Sequence, residues 1–165
     1  MFYNPSLVKY YKSIIVFIST CIVLLDQLTK YYARILLNNS YPYFMNKYMN
    51  LNLVFNHGIA FSLFSQQSTL QKYILIFVPV VIIIYILYYL LFTKFKCINS
   101  LAYCFILGGA IGNLIDRILF DKVTDFIDWH INNYHWPTFN IADSFVSIGV
   151  ILLIIDMLFH KERHD

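Results

Sequence analysis

Asp116, Asp125, Asp128 and Asp143 are four of the five aspartates in the stretch from Gly108 to Ser144, where two long apolar segments meet a polar connection. A charge at the centre of a bilayer costs roughly 2.5 to 3.5 kcal/mol on insertion scales, so acids at the ends of membrane-length segments are candidates for function. Asp125 lies in the connection after the third apolar segment and Asp143 begins the fourth, so both can approach one pocket from opposite sides. Two adjacent carboxylates resist ionising together, and one keeps a proton while the other acts as a base. Such a pair is suited to activating a water for attack on a peptide carbonyl and to protonating the leaving nitrogen. The structural alternative for Asp143 is a helix N-cap, with Asn140 as a second candidate for that cap.

Other polar groups have equally plain alternatives. Asn113, Asp116 and Arg117 are spaced i, i+3 and i+4 and share one helix face, which also fits a buried cluster in which Arg117 neutralises Asp116. Asp26 and Lys30 form an i, i+4 pair, read as a surface ion pair or an interfacial anchor. Asp128, His130 and His135 stand in the polar connection without His-Glu-x-x-His or comparable spacing, so these histidines are expected to be solvated and no metal ligands are assigned. Asp156 reads as an interfacial charge near the far end of the fourth segment. No Gly-x-Ser-x-Gly elbow, phosphate loop or nucleotide fingerprint occurs, and no cofactor is expected.

The elements that must hold these residues follow from composition. Of 165 residues 59% are hydrophobic and only 13% charged, with a mean hydropathy of +0.63, which excludes an ordinary soluble domain and indicates an integral membrane protein. The net charge of +3 is small and the basic residues form no patch, so nucleic acid is not an expected partner. Cys21, Cys97 and Cys104 lie in or beside apolar segments without metal or disulfide spacing and read as small hydrophobes.

Four membrane helices are expected, over about residues 13–32, 71–92, 101–119 and 141–159. The run Ser13 to Leu25 is thirteen residues, too short alone, so the first span must continue through Asp26 toward Tyr32. Basic residues precede it, but no small-x-small cleavage site follows, and an uncleaved span is the better reading. Pro79 falls inside the second span, where membrane helices tolerate it. Gly108 and Gly112 have the spacing that lets another helix approach closely. Between the first two spans, an insertion over 38–69 contains Met49, Leu51, Leu53 and Phe55 in alternation with Asn50, Asn52, Val54 and Asn56, which is strand periodicity. Asn56-His57-Gly58 reads as a turn before Ile59 to Phe64, giving a small sheet or hairpin on the membrane, with Tyr41, Tyr43, Phe44, Phe61 and Phe64 at the interface. Residues 120–140 are expected as a loop. Lys9, Lys12, Lys94, Lys96, Lys161 and Arg163 fall on one side of four spans, which the positive-inside rule makes cytoplasmic, although Arg34, Lys47, Arg117 and Lys122 in the longer opposite loops make the contrast one of density; the acids then gather at the opposite, outer face.

Asp26-Gln27-Leu28-Thr29-Lys30, Asn56-His57-Gly58-Ile59-Ala60-Phe61, Gly108 to Arg117, Val123-Thr124-Asp125-Phe126 and Phe139 to Ser144 together resemble the bacterial lipoprotein signal peptidases, signal peptidase II. The motifs occur in order and cover nearly the whole chain. The resemblance implies an all-α membrane bundle of four transmembrane helices with a small extracytoplasmic β-cradle and a short outer helix. It implies an aspartic endopeptidase of the bacterial inner membrane that cuts diacylglyceryl-modified prolipoproteins on the amino-terminal side of the lipidated cysteine. On that pattern Asp125 and Asp143 match the catalytic dyad, while Asn113, Asp116, Arg117, Asn140 and Ala142 shape the pocket. Asp26 matches the first-helix acid, and Asn56 and Gly58 match the loop motif that contacts substrate. The expected partners are a diacylated prolipoprotein and membrane lipid, with the chain acting as a monomer and both termini cytoplasmic. Thr124 stands where relatives often have Val, His57 where Thr, Arg or Tyr is common, and Ile59 where Ala is frequent; none of these removes a carboxylate. A small transporter with Asp26, Asp116 and Asp143 as a relay would expect acids at mid-membrane and an internal repeat, neither of which the sequence has. The third reading is a non-catalytic lipid-binding or scaffolding protein.

Overall fold

The computed structural model describes residues 5–38, 41–58, 69–92 and 97–160. Among them are four long helices, α1 (Pro5–Leu36), α2 (Thr69–Phe92), α3 (Cys97–Phe120) and α4 (Ile141–His160), and four strands, β1 (Tyr43–Asn46), β2 (Met49–Asn56), β3 (Val123–Ile131) and β4 (Tyr134–His135). Lys12–Leu36, Thr69–Leu90, Asn99–Phe120 and Ile141–Phe159 are each long and apolar enough to cross a membrane. The first and third helices run beyond the expected 13–32 and 101–119; at the carboxyl end of α1 the extra turn lets Arg34 reach Thr124 on β3. Residues 59–68, with Ile59, Phe61 and Phe64, lie outside the described residues, and no short outer helix occurs among the described ones.

The helix α3 is central and packs against α1, α2 and α4. Close approach depends on small residues. A Cβ on Gly108 would stand 2.8 Å from Ile22 Cβ, and one on Gly109 would meet the carbonyl oxygen of Ala142, so neighbouring glycines admit α1 on one side and α4 on the other. Away from the sheet, Ile15, Ile86, Leu90, Cys104, Ile106 and Leu107 form the apolar core. Large side chains such as Phe17, Phe77, Tyr88 and Ile151 face outward, as expected when the surrounding solvent is hydrocarbon.

The strands form one antiparallel sheet in the order β1-β2-β3-β4 at the end of the bundle where α1 and α3 finish and α4 begins. One expectation needs correction here. A hairpin turn at Lys47-Tyr48 joins β1 to β2, and the chain turns again at Asn56-His57-Gly58, where Asn56 Oδ1 accepts from the Gly58 N–H; the expected segment Ile59 to Phe64 beyond it lies outside the described residues. The region 120–140 is not a loop: β3 is an interior strand, paired with β2 over Met49–Trp129 to Asn56–Val123. Positive backbone φ angles at Asp121 (58°) and Asn132 (54°) bound it. Asp121 ends α3 in the left-handed conformation, and Asn132-Asn133 makes the two-residue turn into β4.

Candidate active site

Asn140 joins the pieces of the site. It is the N-cap of α4: its Oδ1 accepts from the Asp143 N–H at 2.9 Å while Asp143 Oδ2 accepts from the Asn140 N–H at 3.2 Å. This reciprocal capping box resolves the two sequence readings, with Asn140 at the cap and Asp143 three residues inside. The capping role uses only one Asp143 oxygen, and Oδ1 accepts from Asn113 Nδ2 at 2.7 Å. The side-chain amide of Asn140 donates to Asp125 Oδ1 at 2.7 Å and to Asn113 Oδ1 at 3.2 Å. Asp125 and Asp143, from a strand and a helix eighteen positions apart, therefore share Asn140 as a neighbour.

Asp125 is 1% exposed. Burial disfavours its charge, and the Asp143 carboxylate adds repulsion; hydrogen bonds from Asn56 and Asn140 and the charge of Lys30 oppose these effects only in part, leaving the Asp125 carboxyl raised from 3.8 to about 6. Asn56 serves twice, because its Oδ1 also accepts from the Gly58 N–H at 2.7 Å. Gly58 has a φ of +81°, and a Cβ there would collide with Leu75, so the turn holding Asn56 against Asp125 requires glycine. Arg117 interacts electrostatically with Asp143, Asp125 and Asp116. It also lines, with Asn56 and His57, a cleft between β2 and the start of α2.

Beneath these residues lies an ionic layer. Asp26 and Lys30 are an ion pair at 2.8 Å with both side chains fully enclosed, so the expected surface pair or interfacial anchor is instead a buried bridge. Lys30 also reaches Asn113 Oδ1 at 2.9 Å and Asp116 Oδ2 at 3.6 Å. Asp26 Oδ1 accepts from the Ala142 N–H at 2.9 Å, satisfying a first-turn donor of α4 that has no partner within its own helix. Ala142 is itself fully buried against α3, and a Cβ on Gly112 would lie 3.4 Å from its methyl group. The neutralisers of Asp116 are Lys30 and Arg34, the latter at 3.7 Å, rather than Arg117, which donates to the Asn113 carbonyl at 3.4 Å. The reason is direction: Asp116 points toward α1, where both cations stand.

Gln27, Arg34 and Thr124 also belong to this site, beyond the residues expected from sequence. Gln27 Nε2 donates to the Gly112 carbonyl at 3.0 Å and lies 3.2 Å from Asp26 and 3.3 Å from Asp116. Thr124 accepts from Arg34 through Oγ1 and donates its N–H to Asp116 Oδ2, both at 2.9 Å. The hydroxyl at 124 thus gives Arg34 a partner that valine lacks. The available signal was the recurrence of Asp26, Lys30 and Arg34 every four residues along a membrane-length helix.

Two further details emerge. Asp128 is a buried strand residue, and half-exposed His135 lies with its Nδ1 2.8 Å from the Asp128 Oδ1. Asp156 is 8% exposed, a buried rather than an interfacial side chain.

The family described as Signal peptidase (SPase) II matches residues 18–159. A lipoprotein signal peptidase of Francisella tularensis subsp. novicida (strain U112) is 41% identical over 144 residues, covering 86% of this chain and 89% of the relative. One from Hydrogenovibrio crunogenus is 40% identical over 145 residues, covering 87% and 84%. A solved bacterial membrane enzyme superposes with a TM-score of 0.81 at 30% identity, covering 93% of this chain and 92% of its own, and a second with 0.79 at 31% identity, covering 88% and 93%. With the match spanning all four helices and both halves of the sheet, the chain belongs to the signal peptidase II family.

Proposed function

We propose that this chain is an aspartic endopeptidase that removes the signal peptide of diacylglyceryl-modified prolipoproteins, with Asp125 and Asp143 as the catalytic pair. The observation that carries the reading is the convergence of both carboxyls on Asn140, beside the buried position that raises Asp125 to about 6. Asp125 then holds the proton and Asp143 is the base that draws a proton from an attacking water. As water adds to the scissile carbonyl, Asp125 donates to the oxygen; collapse of the tetrahedral intermediate delivers a proton to the leaving nitrogen and restores the pair. Asn113 and Asn140 orient the carboxylates, Asn56 and Gly58 hold the β2 end against Asp125, and Asp116 and Asp26 fix α1 to α3 and α4. Arg117 interacts electrostatically with both carboxylates and contributes positive charge to the site.

The chain lies in the bacterial inner membrane as a monomer, both termini cytoplasmic and the sheet outward. The sheet carries exposed Tyr43, Phe44 and Trp129, residues suited to the lipid interface. Lipid chains that enter between helices stay in hydrocarbon while the scissile bond meets water at the sheet. The test is cleavage of a diacylated prolipoprotein by purified protein, beside an unlipidated control. Asp125→Asn and Asp143→Asn are each expected to abolish cleavage without loss of the folded protein; wild-type cleavage by either variant overturns the assignment.

A further inference from the structure

We propose that Asp128, His130 and His135 form a binding site for a transition-metal dication of the zinc type, on the sheet and separate from the Asp125–Asp143 pair. One ligand atom from each of the three lies within 4.8 Å of the others. The fold produces this grouping simply. Asp128 and His130 are two apart on β3 and so share a face, and His135 on β4 is the direct antiparallel partner of His130. Asp125, at the opposite alternation of β3, projects to the other face.

Two buried polar atoms point to a missing occupant. His130 Nδ1 is buried without a hydrogen-bond partner. Asn50, the register partner of Asp128 on β2, has its side-chain oxygen buried and equally unpartnered. Unsatisfied buried polar atoms are rare, and two at one cluster call for a common cause. A structural His–Asp pair accounts for His135, whose Nδ1 is 2.8 Å from Asp128 Oδ1, and leaves His130 unexplained. The His130 and His135 rings are stacked with centroids 5.0 Å apart and planes at 21°, an arrangement that protonation of both rings would disfavour and that a shared dication would join.

The donor set suits zinc. Two imidazoles and a carboxylate are a common three-ligand set, with the fourth tetrahedral position left to water. Ligand atoms bound at about 2.0–2.1 Å lie about 3.4 Å apart, so the cluster has to contract by side-chain rotation, for which half-exposed His135 has room. Asn50 is placed to accept from the metal-bound water. A metal here ties β4 to β3, and so stiffens the segment that leads through Phe139, paired with Ile127, to Asn140.

The test is titration of tag-free, detergent-purified protein with Zn²⁺ by calorimetry and with Co²⁺ by visible spectroscopy. One equivalent should bind, with tetrahedral Co²⁺ bands, and His130→Gln and Asp128→Asn should each weaken binding by at least about tenfold. His160→Gln combined with His164→Gln, which removes the two histidines of the carboxyl-terminal end, should leave it unchanged. His130→Cys should keep the metal and add a thiolate-to-cobalt charge-transfer band, a readout that misfolding cannot imitate. Absence of stoichiometric binding, binding lost only with His160 and His164, or a His130→Cys protein without that band overturns the proposal.

Discussion

The four acids nearest Asn140 divide into two layers treated in opposite ways. Asp26 and Asp116 are fully buried and face Lys30 and Arg34 at 2.8 to 3.7 Å. Asp125 and Asp143 form no ion pair with a described residue and are held instead by the neutral amides of Asn113, Asn140 and Asn56. Cations at that distance hold a carboxylate to its neighbours, which suits a structural tie. Neutral donors orient a carboxylate while leaving its proton free to move. Within one site, the choice of partner separates the acids that hold the helices from the acids suited to react.

That contrast is broken most severely at the upper layer. Asp125→Asn or Asp143→Asn should reduce prolipoprotein cleavage by at least about 10²–10⁴-fold, while thermal unfolding in detergent is unchanged or shifts upward because an unneutralised acid is gone. A matching loss of thermal stability would place these acids with the structural layer. At the lower layer the order reverses. Lys30→Met strands Asp26 and Asp116 without their shared cation and should destabilise the protein by about 3–5 kcal/mol, read as a large fall in the unfolding midpoint. Replacing Asp26 by Leu in the same protein should restore part of the loss. A Lys30→Met protein with wild-type stability would show the bridge to be inessential.

Smaller effects sharpen the picture. Gly109→Ala forces a methyl group onto the Ala142 carbonyl and should cost about 1–3 kcal/mol, with a rise in KM or fall in kcat as the α4 start shifts; unchanged stability and kinetics would mean α3 and α4 slide freely. The smallest effect is in pH. With Asp125 as the proton donor, kcat/KM should fall as pH rises through about 6. Asn56 favours the charged carboxylate, so Asn56→Ala should move this limb to higher pH, and a shift downward contradicts the assignment. The stability sign is the same: between the ordinary 3.8 and about 6 the folded chain binds more protons than the unfolded one, so stability falls as pH rises across that window. Asp125→Asn should flatten this slope.

Much of this was legible in the residues. Apolar runs of membrane length predict the four spans, and the alternation at 49–56 predicts β2. The pairing of Asn140 with Asp143 was visible as two rival caps, since both residue types accept helix N–H groups. The strands β3 and β4 were missed although Asn132-Asn133 is a turn signal and the run from Val123 to Ile131 is rich in β-branched and aromatic residues. Their polar positions, Asp125 and Asp128, obscured the strand pattern because those groups are buried by the sheet's neighbours rather than exposed to water.

The chain by itself determined how many helices cross the membrane, which acids end up at the same end, and which family's motifs it carries, because hydropathy and spacing act locally along the backbone. Only the tertiary structure decided that Lys30 is fully buried, that Asp116 turns to Arg34 instead of Arg117, and that Asp128 lies against His135. Those outcomes depend on which helix or strand arrives opposite each side chain, and a charge is stable or costly according to what faces it, not according to its position in the sequence.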